Sequence, residues 1–194
     1  MKRLPILFTV IAGLLATAAG AQHEPNNFGA KLAGFRELPV PVSTVASGEF
    51  KAEIIKDDTI AYELTYSGLE GTVTQGHIHF GQRFAAGGIV LWLCQTDTNK
   101  DPTGLAPTCP QEAQGPTTVK GNLTAANLIP QSAQGILEPN TDRASEFAQI
   151  LKAIRAGVTY ANVHSSKFGP GEIRGQIRAV KDREDKDQKE NKPS

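Results

Sequence analysis

Residues 48–71 read GEFKAEIIKDDTIAYELTYSGLEG, and the alternation within them decides the class of fold. Apolar side chains fall at every second position from residue 50 to 54 and again from 60 to 66, with charged or polar residues at most positions between them. This period of two is typical of strands with one buried face. Asp57 and Asp58 separate the two runs, so the segment predicts a β-hairpin.

Four further segments predict short strands. They are VTQGHIHF (73–80), GGIVLWLC (87–94), VTYANVH (158–164) and GEIRGQIRAV (171–180). The second is apolar throughout, which favours a central position in the sheet. Within residues 141–157, apolar side chains recur at the helical spacing i, i+3, i+4 and i+7, and Thr141 or Asp142 could cap the start and Gly157 the end. The pattern predicts an all-β fold, an antiparallel sandwich or barrel, with one amphipathic helix in a long connection.

The two ends of the chain differ from this central part. Residues 1–21 combine a basic start, an apolar run and a small-residue end, Ala19-Gly20-Ala21, which is typical of a signal peptide cleaved before Gln22. A membrane anchor is the alternative, but the apolar run is shorter than the roughly 20 residues that span a bilayer. We expect a secreted or periplasmic chain with a flexible lead-in at 22–29, one domain at 30–180, a disordered charged tail at 181–194 and no membrane span after cleavage.

Export has consequences for the charge and for the cysteines. Without residues 1–21 the chain carries a net charge of −2, so no global basic field favours nucleic acid as a partner. Outside the cytoplasm an even number of cysteines normally means pairing, and this chain has two, Cys94 and Cys109. A disulfide is therefore expected in preference to a thiol nucleophile or two metal ligands, and it would stabilise the fold by about 3 kcal/mol.

Several of these segments together resemble the CHRD domain family, a module that is repeated in chordin and occurs singly in many microbial secreted proteins. The resemblance rests on HIHFG (77–81), the helical segment 147–157, YANVH (160–164) and GEIRGQI (171–177), and it extends from about residue 30 to 179. It implies an extracytoplasmic, immunoglobulin-like or superoxide-dismutase-like β-sandwich without an established catalytic activity. GFRELPVPV (34–42) replaces the usual GANEVPPV, and the cysteine-closed insertion at 94–109 is a second departure, so no partner recognised through either loop is carried over.

Three of the four histidines occupy positions that strand alternation relates to one another. If Ile78 faces the core, His77 and His79 share the opposite face of their strand, roughly 7 Å apart. The same alternation places His164 on the outward face of a second strand. The three imidazoles therefore converge if the two strands are neighbours.

Three polar residues are expected to support the histidines. Asn162 lies two residues before His164 on the same face, and Glu172 and Arg174 point outward from the last predicted strand. We expect Glu172 and Arg174 to orient the imidazoles or to pair with each other, because a carboxylate that accepts a ring N–H fixes the tautomer of the ring.

Three converging imidazoles suit a Cu or Zn ion, because three histidines with an open position form a known catalytic arrangement and copper accepts imidazole readily. HIHFG is also similar to the copper-binding strand of Cu/Zn superoxide dismutase. That enzyme needs further histidines, and only His23 is left here, in the lead-in. The alternative is that the histidines hydrogen-bond to neighbouring side chains and loop backbone and fix the sheet without a metal.

The sequence thus supports two functions from different classes. In the first, the chain is a secreted, non-enzymatic binding or structural module for an unidentified extracellular or periplasmic protein or ligand, with no cofactor. In the second, it is a secreted metalloprotein with His77, His79 and His164 as Cu or Zn ligands, with superoxide-dismutase-like activity as its enzymatic form. No catalytic residue is assigned, because Ser165 and Ser166 adjoin a histidine but lie on no nucleophile elbow.

Overall fold

The computed structural model describes residues 24–111, 115–136 and 142–180. The expected signal peptide and the expected charged tail lie outside these residues. Within them the regular elements are nine strands and one α-helix, besides short 3-10 turns. In chain order the elements are β1 (Asn27–Ala33), β2 (Ser47–Ile55), β3 (Thr59–Ser67), β4 (Val73–Phe80), β5 (Gly88–Cys94), β6 (Thr117–Leu123), α1 (Arg143–Arg155), β7 (Thr159–Ser165), β8 (Ile173–Gln176) and β9 (Arg178–Ala179).

The strands form a single antiparallel sheet with the order β5-β4-β7-β8-β1-β2-β3-β6, and β9 pairs with β1. The sheet curls over until its two ends, β5 and β6, come into contact. The Tyr62 hydroxyl on β3 donates a hydrogen bond to the Leu93 carbonyl on β5 and so crosses between the two halves. Because the halves enclose one hydrophobic core, the fold is the predicted antiparallel β-sandwich.

The predicted hairpin is formed by β2 and β3, whose register pairs Phe50 with Leu64. The alternating side chains of the hairpin point into the core, where Phe50 and Leu64 are almost fully buried. The tight turn uses Lys56 and Asp57, which both have positive φ, so it lies one residue earlier than the expected pair. Asp tolerates this left-handed region better than most residues because its side chain can hydrogen-bond locally.

The predicted helix is α1, and its caps agree with the sequence pattern. The Asp142 carboxylate accepts hydrogen bonds from the first backbone amides of the helix, and Gly157 follows its end with a φ of 69°. Thr141, the alternative cap, lies outside the described residues. The apolar stripe of α1, which includes Phe147 and Leu151, is buried against the sandwich.

The apolar strand β5 lies at one end of the sheet order, not at its centre as its composition favoured. Its free edge is nevertheless covered, because Ile129 donates its backbone N–H to the Val90 carbonyl and the Gln131 side chain donates to the Ile89 carbonyl. Both faces of β5 are also buried, and this requires apolar residues at successive positions. An edge strand that is buried by a covering segment can therefore have the same all-apolar sequence as a central strand.

Two strands, β1 and β6, were not predicted, and one predicted strand is interrupted. β1 begins at Asn27, inside the segment assigned to the lead-in, and it buries Phe28 against the core. A small residue at a core position, Ala30, weakens the apolar pattern of β1, and a glycine between Val119 and Leu123 does so in β6. At the other end of the chain, Ile177 separates β8 from β9 where one continuous strand was expected.

The expected disulfide is present and joins Cys94, the last residue of β5, to Cys109. Both cysteines are buried and belong to the core. No helix in the described ranges has the length and apolarity that crossing a bilayer requires.

Candidate metal centre

The pairing of β4 with β7 brings the three histidines together. In this antiparallel pair His77 lies opposite Asn162, and Gln75 lies opposite His164. His164 is therefore a diagonal cross-strand neighbour of His77, and His79 lies one strand repeat from His77 on the same face. The condition for convergence, that the two strands be neighbours, is met.

The ligand nitrogens of His77, His79 and His164 all lie within 4.8 Å of one another. The ring centroid of His77 is 5.0 Å from that of His164 and 5.6 Å from that of His79. The exposed fractions of the three residues are 0%, 8% and 6%. The imidazoles thus form a compact buried cluster instead of the polar side of a half-exposed strand.

Backbone carbonyls fix the tautomers of two of these rings. His79 Nδ1 lies 3.0 Å from the Gly87 carbonyl oxygen, and His164 Nδ1 lies 2.7 Å from that of Gly169. A carbonyl oxygen only accepts, so each Nδ1 carries the proton and each Nε2 presents its lone pair. This is the arrangement found around metal-ligating histidines, which donate their second ring nitrogen to a carbonyl or carboxylate.

The remaining ring nitrogens are buried and have no hydrogen-bond partner among the described residues. They are Nε2 of His79, Nε2 of His164 and both nitrogens of His77. A buried polar atom without a partner costs about 1–3 kcal/mol, so a native cluster of four needs a physical reason. One nitrogen of a neutral His77 ring carries a proton, so the cluster offers three lone pairs, one from each ring, on atoms within 4.8 Å of one another. A cation bound by all three rings would supply the physical reason, because it would satisfy these lone pairs together.

The electrostatics of the cluster favour the form that binds metals. Burial lowers the pKa of all three histidines, to about 4 for His79 and well below the usual value for His77. The neighbouring imidazoles lower the pKa of His77 further, and the positive charge of Arg174 lowers that of His79. The cluster is therefore neutral at neutral pH, the protonation state a metal ligand needs.

Two aromatic side chains pack against the cluster. Trp92 meets His77 edge to face with ring centroids 4.3 Å apart, and Tyr160 stacks parallel to His79 at 4.5 Å. The Arg174 guanidinium in turn lies 3.5 Å from the centre of the Tyr160 ring. Tyr160 could have been found from the sequence, since it precedes His164 by four residues on one face of β7. Trp92 lies opposite His77 in the sheet, but no sequence signal marks this position, because β5 is apolar at successive positions.

The three supporting residues share the histidine face but do not hydrogen-bond to the rings. Asn162 donates to the Glu37 carboxylate, and Glu172 accepts from the Thr44 hydroxyl. Arg174 donates to backbone carbonyls of the loop between β4 and β5. The expected orienting role of Glu172 and Arg174 is taken instead by the carbonyls of Gly87 and Gly169.

The close approach of the loop at Gly87 explains why a carbonyl replaces a carboxylate here. A Cβ atom at position 87 would lie 1.8 Å from the Phe80 carbonyl oxygen, so no other residue fits without movement. Glycine therefore lets the loop lie directly against β4, where its carbonyl reaches the His79 ring. The loop also covers the face that the alternation had placed outward, and the sequence pattern alone could not show this cover.

The donor set fits a Cu or Zn ion with a modest adjustment. Three imidazole nitrogens at 2.0–2.1 Å from a tetrahedral Zn lie about 3.4 Å from one another. The nitrogens here are up to 4.8 Å apart, so loading would draw the rings together by up to about 1.4 Å. Imidazole suits both Cu and Zn, whereas Mg and Ca prefer oxygen ligands.

Comparisons with known proteins identify the domain. The model of the CHRD domain family matches residues 28–177. Among solved structures, a point mutant of superoxide dismutase 5 from Candida albicans matches at 12% sequence identity with a TM-score of 0.40, over 81% of this chain and 92% of that chain. A search of curated proteins gives no match. Because the family match spans most of the chain, the protein belongs to the CHRD domain family.

Proposed function

We propose that this CHRD domain is an extracytoplasmic metal-binding module that holds one Cu or Zn ion through His77, His79 and His164. The observation that carries the proposal is the convergence of unpartnered, buried ring nitrogens within 4.8 Å. Solvation of these nitrogens by water is reduced in the buried cluster, so a metal ion would gain three ligands that have little else to bind. The Gly87 and Gly169 carbonyls support the proposal because they hold two rings in the ligand tautomer.

The family and the disulfide support the extracytoplasmic part of the proposal. Disulfides persist in oxidising compartments, and both properties are consistent with an extracellular protein. The signal peptide expected at residues 1–21 belongs to the same proposal. An intact mass that begins at Gln22 in the exported protein would support it.

Binding is proposed in preference to turnover. The three histidines are at most 8% exposed, and Trp92 and Tyr160 pack against two of them. A redox or hydrolytic substrate would need to reach the metal through this cover. The bound metal would supply a positive charge and a Lewis acid at the cluster, while the chain's residues orient the ligands and keep the site dry.

A non-metal binding or structural module is the second candidate function. It is favoured by the ring packing, because His77 with Trp92 and His79 with Tyr160 make contacts that stabilise a buried layer without a metal. The two functions differ in one measurable property, the affinity for Cu and Zn.

Isothermal titration of the untagged protein with Cu(II) and with Zn(II) tests the proposed function. We expect one ion per chain and a loss of about 100-fold in affinity in His79→Ala, because a second-shell partner alone is typically worth 10–100-fold. His23→Ala is the matched control, since it removes the one histidine outside the cluster. Equal, weak heats in the wild type and His79→Ala would contradict metal binding and leave the structural module.

A further inference from the structure

A groove on the outside of the domain combines exposed phenylalanines with exposed arginines. Phe35 and Phe84 are 70% and 81% exposed, although they lie in two different loops, and both line this groove. Its volume is about 560 Å³. Single exposed apolar residues are ordinary, but two exposed phenylalanines that line one concave site are typical of an interaction surface.

The charge of the groove is positive. Its cationic lining residues near the surface are Arg36, Arg83 and Arg178. The lining also includes one acidic residue, Glu37. Its carboxylate is buried and accepts a hydrogen bond from Asn162, so it is not at the surface of the groove. The whole chain has no net charge, so this concentration of arginine is local. A cleft with charges of one sign focuses the field and attracts a partner of the opposite sign.

The arginines retain the capacity to bind a partner. Arg36 and Arg178 each donate to one backbone carbonyl of the domain, those of Lys31 and Gly157. A guanidinium has five N–H donors, so these contacts use only part of each fork. Arg83 lies 5.0 Å from the centre of the Phe84 ring, which places a cation beside an exposed aromatic surface.

Buried polar groups hold the first wall of the groove in place. This wall is the segment 34–46, which follows β1. The Gly34 carbonyl accepts hydrogen bonds from the backbone amides of Glu37 and Val42 at 3.0 and 2.9 Å. Further along the segment, the Thr44 hydroxyl donates to the buried Glu172 carboxylate at 2.8 Å.

The second wall is the loop 81–87 between β4 and β5, and Arg174 fixes it. The Arg174 guanidinium donates to the carbonyls of Gln82 and Ala85 at 3.1 and 2.9 Å while it lies on the Tyr160 ring. Both walls are therefore set before any partner arrives. A preformed site lowers the conformational entropy that binding would otherwise cost.

We propose that this groove binds an acidic peptide segment of a partner protein, with its carboxylates on Arg36, Arg83 and Arg178 and an apolar side chain against Phe35 and Phe84. The guanidinium fork matches the carboxylate in geometry and charge. The uncharged lining consists of Phe, Pro and Leu residues and of Gln176, whose amide nitrogen already donates to the Gly81 and Gly157 carbonyls. This lining offers little to sugar hydroxyls, so a glycan fits less well. The concave shape favours a peptide over a flat membrane surface.

Fluorescence anisotropy with a labelled octapeptide of six Glu and two Phe tests this proposal. We expect saturable binding that weakens with added salt, because the contact is largely between charges. The double variant Arg36→Glu/Arg83→Glu should bind at least tenfold more weakly, and Phe84→Ser about fivefold more weakly. Lys120→Glu, a charge change on the exposed face of β6, is the matched control and should bind as the wild type does.

Further arms of the experiment separate other partners and other sites. His164→Ala should bind the peptide normally, because the His164 ring hydrogen-bonds to the Gly169 carbonyl, which belongs to neither wall of the groove. An octapeptide of Glu alone should bind more weakly than the Phe-containing probe. Absence of binding, or binding that both groove variants leave unchanged, would overturn the proposal. Tighter binding to sulfated polysaccharide or to phosphatidylserine vesicles than to the peptide would also overturn it in favour of a glycan or a membrane.

Discussion

At the scale of single residues, Glu37 is a buried carboxyl group whose pKa the fold raises strongly. It is 5% exposed, and burial raises its pKa to about 7 although Arg174 and Asn162 act to lower it. The folded pKa thus lies above the unfolded value near 4.5. Between these two values the folded state binds more protons than the unfolded state, so the Glu37 contribution to the free energy of unfolding falls as the pH rises through this window.

Replacement of Glu37 by Gln is therefore expected to stabilise the domain at high pH. The amide keeps an acceptor for Asn162 and removes the buried charge, so the gain in the free energy of unfolding should reach about 3 kcal/mol at pH 8 and vanish near pH 4. Urea denaturation of both proteins at several pH values measures it. Glu63→Gln, on an exposed part of the sheet, is the control and should change stability little. A Glu37→Gln variant less stable than the wild type at pH 8 would contradict the prediction.

Strand alternation predicts some features of the candidate site and not others. Period two placed His77 and His79 on one face and His164 on the matching face, since alternation is a property of the strand itself. The tautomers depend on Gly87 and Gly169, which lie in loops whose path is set by tertiary packing. No periodicity marks a loop carbonyl, so these contacts became visible only in the structure.

At the scale of elements, the disulfide joins the end of β5 to the loop that follows it. The loop is ordered by its own contacts as well, because the Asp101 carboxylate accepts from the backbone amides of Thr103, Leu105 and Ala106. The double variant Cys94→Ser/Cys109→Ser should therefore lose about 3 kcal/mol in the free energy of unfolding and still fold. Chemical denaturation measures the loss. An unfolded double variant would show that the bond is required for the sandwich itself.

The elements that sequence patterns identified are those with strong, regular alternation. The β2–β3 hairpin carries large apolar residues at every second position, and α1 carries them at the helical spacing. The strand β5 was identified by an unbroken apolar run instead. β1 and β6 each place small residues or glycine at core positions, where neighbouring large side chains fill the space. Gly121, for example, lies against the Tyr62 ring, which occupies the volume that a side chain on β6 would need. Such complementarity between strands has no signature in either strand alone.

At the scale of the whole molecule, the candidate metal site joins strands that are far apart in the sequence. His77 and His79 lie on β4 and His164 on β7, and β5, β6 and α1 intervene along the chain. The fold alone brings these ligands together, so the unfolded chain offers no comparable site. A metal that binds only the folded state stabilises it by mass action.

Saturation with metal should therefore raise the stability of the whole domain. At a free metal concentration about 100 times the Kd, the gain is about 2.7 kcal/mol, or a rise in Tm of about 5–10 °C for a domain of this size. The shift is measured by thermal unfolding of the metal-free protein, of the protein with Zn(II), and of the Zn(II)-loaded protein after a chelator is added. The disulfide-free double variant should show the same shift from a lower starting Tm, since its altered loop contributes no ligand. His79→Ala should show almost none, and an equal shift in that variant would place the bound metal elsewhere on the molecule.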